Sequence, residues 1–323
     1  MKIGVIGVGS MGRNHARIYA ELPGVDLVGV ADIDFALARE AAERFHTVPF
    51  NSYEELLGQG LDAASIVVPT SMHKEVALAA VRRHTSVLVE KPLADAVPAA
   101  REIIQSAREN NVRLMVGHVE RFNPVVSVLK KQVRGDQISL IEITRIGPFP
   151  PRIRDVGILI DLATHDIDLI RHLTGSEFNQ MYGLTSQNVA EHEDTAVLVF
   201  EMANGSLARI TTNWLTPFKV RELTVATKDK FIKASLTDQK VTEYSKYGEN
   251  DSYLVKEVRV PFGEPLKLEL EAFVNSVRDG TTPPVTGEDG LKVLEVLSQD
   301  FHDLGRGGEL HKMSPKQISF VGV

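Results

Sequence analysis

The hexapeptide Gly7-Val8-Gly9-Ser10-Met11-Gly12 constrains this chain more than any other feature. Three glycines in the spacing G-x-G-x-x-G arise easily by chance, so their surroundings decide what they mean. A β-branched apolar run at residues 3–6 precedes them, and a segment with helical spacing at 11–21 follows. In that setting Gly7 can make a tight turn, Gly9 lets backbone approach a pyrophosphate, and Gly12 permits close packing of helix on strand. The start of the helix offers N–H groups and partial positive charge to the phosphate. Asp32, at the end of the second apolar run, completes the pattern. Its carboxylate would accept bonds from ribose hydroxyls and repel a 2′-phosphate, which favours NAD over NADP. The alternatives are a plain strand-to-helix turn at the glycines and a helix cap at Asp32.

Strand-like runs at 3–6, 27–31, 64–68, 87–89 and 114–116 alternate with helical segments at 11–21, 35–45, 73–83 and 97–110. The runs are nearly continuous in apolar residues, as in parallel strands covered on both faces. Such alternation implies right-handed crossovers, and so an α/β fold with a doubly wound, Rossmann-type parallel sheet over residues 1–121. After Pro124 the pattern changes. A helix at 125–133, a long strand at 138–146 and a strong helix at 159–173 lead into strands at 196–201, 206–214, 222–226 and 231–236. Asn204-Gly205 between two of these is a hairpin signal. Helices near 266–278 and 287–304 close the chain. Residues 122–323 read as a C-terminal α+β domain with a largely antiparallel open sheet, serving substrate and assembly. Its last helices have the option of packing back on the first domain.

A length of 323 residues suits two domains, and the 43% apolar, 24% charged composition is that of a globular protein. The net charge of −7 argues against a nucleic-acid partner. With no cysteine, disulfides, thiolate nucleophiles and cysteine-bound zinc are all excluded. No apolar run approaches the ~20 residues that span a bilayer, and the N-terminus enters a strand without signal-peptide features. The expectation is a cytoplasmic enzyme with no membrane partner.

Three further segments carry a family resemblance. Val87-Leu88-Val89-Glu90-Lys91-Pro92-Leu93 is the first. Gly157-Ile158-Leu159-Ile160-Asp161, continuing through Leu162-Ala163-Thr164-His165-Asp166-Ile167-Asp168, is the second. The opening Ile3-Gly4-Val5-Ile6-Gly7 with Met11-Gly12 and His15 is the third. In that combination and order the chain resembles the Gfo/Idh/MocA oxidoreductases over nearly its whole length. The resemblance implies an NAD-dependent dehydrogenase with Lys91, Asp161 and His165 in catalysis. It implies cofactor contacts from Gly7, Gly9, Ser10, Met11, Gly12, Asp32, Pro69, Thr70, His73, Glu90 and Lys91. It also implies a Lys91-Pro92 peptide that is often cis, and a homodimer or homotetramer built on the open sheet, where the strand 206–214 with Trp214 is a candidate and core packing is its alternative. Two departures stand out: His84-Thr85 where many members carry glycine, and Val156-Gly157 in place of a glycine pair.

The chemistry of these residue types agrees. Oxidising a secondary alcohol needs a base for the hydroxyl proton and a cation for the developing alkoxide. His165 titrates near neutrality, Lys91 ends an apolar strand, and Asp161 shares a helical face with His165. Each has a bland alternative, a solvated lysine or a helix histidine without chemistry. Asp161, His165 and Asp168 also invite a metal reading, but no further ligand at zinc-like spacing accompanies them, so none is expected. Two stretches read as specificity elements. Gly117-His118-Val119-Glu120-Arg121-Phe122-Asn123-Pro124 makes Arg121 and Asn123 substrate candidates. The proline-rich run 145–155 brings Arg145, Arg152 and Arg154 together either as an anion site or as a solvated loop with ion pairs to Asp155 and its neighbours. This pairing looks like the branch of the family with the UDP-N-acetylglucosamine 3-dehydrogenases, which implies a nucleotide-sugar substrate oxidised at C3. Free sugars or polyols of the inositol type are the alternative, and a non-catalytic dinucleotide sensor a third.

Overall fold

In the computed structural model, which describes residues 1–150, 157–246, 252–298 and 302–303, strand and helix alternate from the start. The order is β1 (Lys2–Ile6), α1 (Ser10–Glu21), β2 (Asp26–Ala31), α2 (Phe35–Phe45), β3 (Val48–Phe50), α3 (Tyr53–Leu57), β4 (Ala63–Ile66), α4 (His73–Val81), β5 (Ser86–Glu90), α5 (Val97–Glu109) and β6 (Leu114–Gly117). The six strands form one sheet in the order β3-β2-β1-β4-β5-β6, every pair parallel. All residues of β4, β5 and β6 are buried, as cover on both faces requires. Chain order reverses between β1 and β4, and such sheets bind ligands beyond the carboxyl ends of the strands at that point.

The short β3 and α3 escape sequence reading because three and five residues hold too little periodicity. β3 lies at the sheet edge, where its Pro49 leaves no ladder donor missing inside the sheet. The absent glycine after α4 has a local answer: His84 itself takes the left-handed conformation, with φ of 56°.

The chain continues with α6 (Pro124–Gln132), β7 (Ile138–Pro148), a π-helical turn (Leu159–Ala163) running into α7 (Thr164–Thr174), β8 (Phe178–Ser186), β9 (Thr195–Met202), β10 (Leu207–Asn213), β11 (Leu215–Thr227), β12 (Lys230–Ser235), β13 (Lys240–Lys246) and β14 (Tyr253–Val258). Then come α8 (Pro265–Arg278), α9 (Gly287–Leu297) and the two-residue β15 (His302–Asp303). The second sheet runs β14-β13-β12-β11-β7-β10-β9-β8-β15 and is antiparallel except at β7/β10 and β8/β15. Burial alternates along it: Ala196, Leu198 and Phe200 are inside, Val197 and Val199 outside. The inner face packs on α6 and α7, and the outer face is exposed.

Asn204-Gly205 does turn a hairpin, with Gly205 at φ of 84° between the antiparallel β9 and β10. Trp214 follows the second of its two readings. β10 ends one residue before it, and the indole is 4% exposed, edge-to-face on Phe149 at 5.5 Å. It is core, not part of an outward face.

Two compact units result. The first is Met1–Phe122 with Gly263–Ser298, so it gains Phe122 and takes back α8 and α9. The second is Asn123–Phe262 with the described residues beyond 298. α9 is shorter than its sequence pattern, ending at Leu297, and residues 302–303 pair with β8 instead. α9 seats on β6 because Gly287 and Gly290 lack side chains: a Cβ there would come within 2.7 Å of Leu114 and 2.8 Å of Val116. No helix among the described residues is long and apolar enough to cross a membrane.

Candidate active site

The glycine turn has the geometry its sequence implied. Gly7 sits at φ of +89°, where a side chain is strained, and a Cβ on it would meet Val67 O at 2.5 Å. A Cβ on Gly12 would overlap Gly7 O, so only glycine lets α1 start this close to β1. Gly9 is different: a Cβ there meets no atom within 4 Å. The space above Gly9 is open, and α1 begins there with no side-chain cap on its N–H groups. Ser10 and Met11 flank the opening, exposed. An uncapped helix start beneath open space fits the pyrophosphate of a dinucleotide.

Asp32 closes the cradle from β2. Its Oδ2 accepts the Val8 N–H at 2.8 Å and its Oδ1 the Asp34 N–H at 3.0 Å. The cap of α2 is Asp34, which accepts from Ala36 N, so the capping alternative for Asp32 falls away. Asp32 stays half-buried, and each oxygen keeps a lone pair for a ribose hydroxyl.

At the carboxyl end of β4, exposed Pro69 and half-buried Thr70 enter a short 3-10 turn. At the end of β5 the chain bends through a cis Lys91-Pro92 peptide, and Lys91 is half-buried. Two neighbours expected to face the cofactor point inward. Glu90 is 9% exposed, and its Oε1 lies 3.1 Å from His15 Nε2. His73 is 1% exposed, with Nδ1 2.9 Å from Pro92 O and Nε2 3.0 Å from Val68 O. Burial pushes the His73 pKa down, outweighing those carbonyls and the charge of Glu90. Burial would raise the Glu90 carboxyl, but the His15 hydrogen bond and the neighbouring Lys91 hold it below the usual range.

In the second unit Asp161 lies in the π-helical turn and His165 in the first turn of α7, both half-buried. π-turns often mark functional positions. Glu193 builds this helix start: Ile158 N donates to its backbone carbonyl at 2.9 Å, and Leu159 N to its Oε1 at 3.4 Å. Gly157 is the residue that admits it, since a Cβ there would overlap the Glu193 carboxylate. Asp168 is buried. Among the described residues no cluster of three histidine or carboxylate side chains could hold a metal.

The specificity elements divide. Arg145, offered as an anion ligand, is 2% exposed, with Nε and Nη2 both 2.8 Å from Asp166 Oδ1, and so anchors α7 to β7. Arg121 pairs with Asp289 at 3.2 Å. Asn123 is buried as the cap of α6, accepting from Val125 N and donating to Leu236 O. Arg152 and Arg154 lie outside the described residues. Sequence reading missed Glu193, which has no local signal, and the His15–Glu90 pair. A hint existed for His15, which shares the buried face of α1 with Ala16, Ile18 and Tyr19 and so must find a partner.

A doubly wound sheet with this cradle defines a dinucleotide-dependent enzyme. Residues 1–118 match the model of the oxidoreductase family with NAD-binding Rossmann fold, and residues 99–232 match the Gfo/Idh/MocA C-terminal domain. UDP-N-acetylglucosamine 3-dehydrogenase of Acidithiobacillus ferrooxidans is 29% identical over 93% of this chain and 96% of its own. Its solved structure superposes with a TM-score of 0.86 over 92% and 95% of the two chains. The scyllo-inositol 2-dehydrogenase of Bacillus subtilis is 28% identical over 92% of each. A levoglucosan dehydrogenase solved with NADH shares the fold, with a TM-score of 0.83 over 92% and 95% of the two chains at 20% identity. The chain belongs to the Gfo/Idh/MocA oxidoreductases, and its cofactor is NAD.

Proposed function

We propose that this protein oxidises a secondary hydroxyl of a nucleotide sugar, C3 of UDP-N-acetylglucosamine, to the 3-keto sugar. The observation that carries the reading is the run Gly117–Pro124 followed by 147–157, in a chain similar along 93% of its length to a dehydrogenase of that substrate. In this reading the first unit holds NAD and the second holds substrate. When bound, NAD supplies the hydride acceptor. Asp32 selects it over the 2′-phosphorylated form. His165 takes the hydroxyl proton at Nε2, its Nδ1 being buried. The Lys91 ammonium stabilises the oxygen as it gains charge, and Asp161 orients the hydroxyl. Loss of that proton and of the carbon-bound hydride leaves a ketone. Arg152 and Arg154 supply positive charge for the pyrophosphate. The outer face of the second sheet, with Val197, Val199 and Leu207 exposed, joins copies into a homodimer or homotetramer.

The test is NADH formation on mixing the protein with NAD and UDP-N-acetylglucosamine, with and without an aminotransferase to draw off the ketone. NADH is expected, more with the trap. The 28% identical inositol dehydrogenase supports a second reading, oxidation of a free polyol. NADH from inositol and none from any nucleotide sugar would decide for it. Bound NAD that no sugar or polyol reduces would decide for a sensor.

A further inference from the structure

The bend that carries Lys91 is pinned by buried groups. Glu90 turns its carboxylate back between α1 and β6: Oε1 lies 3.1 Å from His15 Nε2, and Oε2 accepts the Lys91 backbone N–H at 3.1 Å. His15 is wholly buried and its Nδ1 has no partner, so Glu90 is its single polar anchor. The carboxylate can only accept, so His15 Nε2 is the donor of this bond. Gly117, opposite Glu90 in the β5–β6 register, clears the space, since a Cβ there would stand 3.0 Å from the carboxyl group. On the far side of the bend, His73 holds Pro92 O.

A buried carboxylate is a costly way to fill a space, because burial disfavours its charge. The groups that hold it low are His15 from α1 and Lys91 itself, and they keep it ionised against that burial. An apolar side chain would pack there without the desolvation cost, but it would leave the Lys91 N–H unheld. We propose that His15 and Glu90 are positioning residues for Lys91: Glu90, fixed by His15, holds the Lys91 backbone so that its ammonium meets the reacting oxygen. This rests on the reading above in which Lys91 acts on the substrate hydroxyl.

The full-length protein is assayed for NADH formation from NAD and UDP-N-acetylglucosamine, or from myo-inositol should that be the substrate, alongside NADH affinity by fluorescence and the thermal midpoint. His15→Met keeps volume and removes the donor; its kcat falls about 10- to 100-fold, the scale of misplacing a reacting group. Its KM and NADH affinity stay within about threefold. His15→Gln returns a donor at the reach of Nε2, and its kcat recovers to within about fivefold of wild type although its midpoint is no higher than that of His15→Met. Glu90→Gln, which keeps an acceptor for the Lys91 N–H, falls less than Glu90→Ala. In a Lys91→Ala background, His15→Met adds no further loss. Equal losses in His15→Met and His15→Gln, or losses that track NADH affinity or the midpoint, reduce the pair to scaffolding and overturn the proposal. Lys91→Ala with normal turnover overturns the underlying mechanism and the proposal with it. Lys91→Ala inactive beside fully active His15→Met overturns this inference alone.

Discussion

Gly9 and Gly12 belong to one turn, yet the same substitution should act on them in opposite ways. Gly9→Ala adds a methyl into open space, so stability stays within about 0.5 kcal/mol, as for surface changes generally, while the methyl blocks the backbone's approach to phosphate. NADH affinity is expected to fall at least ~10-fold, about 1.4 kcal/mol. Gly12→Ala drives a methyl into Gly7 O and should lower the thermal midpoint and soluble yield before binding can be measured. Fluorescence titration and thermal unfolding of the two variants separate the effects, and an unaltered midpoint for Gly12→Ala would contradict the packing described. The tight turn at Gly7 and Gly12 could be read from sequence because it is made within one strand-turn-helix unit. His15 and Glu90 could not, standing 75 residues apart with only the sheet to bring them together. Arg145 and Asn123 misled for a related reason: charge and polarity advertise a ligand as readily as they advertise a buried partner.

At the scale of elements, α9 shows how one carboxylate ties a helix start to its surroundings. Asp289 accepts the Thr286 N–H at 2.9 Å and the Thr286 hydroxyl at 3.0 Å, and pairs with Arg121. Burial alone would raise its pKa, but the Arg121 charge and the Thr286 bonds bring it down to about 2. A carboxyl whose folded pKa lies below its ordinary 3.8 adds stability above about pH 4 and loses it as pH falls through 2. Allowing for screening of a partly exposed pair, the contribution is about 1–2 kcal/mol. Asp289→Asn should therefore be less stable than wild type by that amount at pH 6 and nearly equal to it at pH 2, as urea unfolding at the two pH values would show. A deficit that persists undiminished at pH 2 would assign the effect to the cap's shape instead of its charge. Long, periodic elements such as α2 and α5 were legible in the sequence almost to the residue. β8, β13 and β14 were not, because their side chains mix polar and apolar on both faces and their existence depends on neighbours in the sheet. The π-helical turn under Asp161 likewise has no signature apart from Glu193, which shapes it from a distant loop.

Taken whole, the molecule is one unit inserted into another. Residues 123–262 interrupt a cofactor unit whose last two helices are supplied from 263–298. A fragment of residues 1–122 should thus leave β6 without the cover of α9, and α1 without α8, and fail to bind NADH. Joining 1–122 to 263–298 through a flexible glycine-serine linker should restore binding to within about tenfold of the full chain. Circular dichroism and NADH fluorescence on both polypeptides test this, and tight binding by 1–122 alone would refute it. Two domains were legible from the switch in periodicity after Pro124. The return of α8 and α9 was not fixed by their sequence, since an amphipathic helix states which face it buries but not against what. The return has a consequence for synthesis. As the chain leaves the ribosome, strands β7 to β14 of the second sheet are all made while the first unit still waits for its closing helices. Cofactor capture is then among the last events in the making of this enzyme, and a chain cut short before residue 298 carries β7 to β14 but no NAD to stabilise the rest.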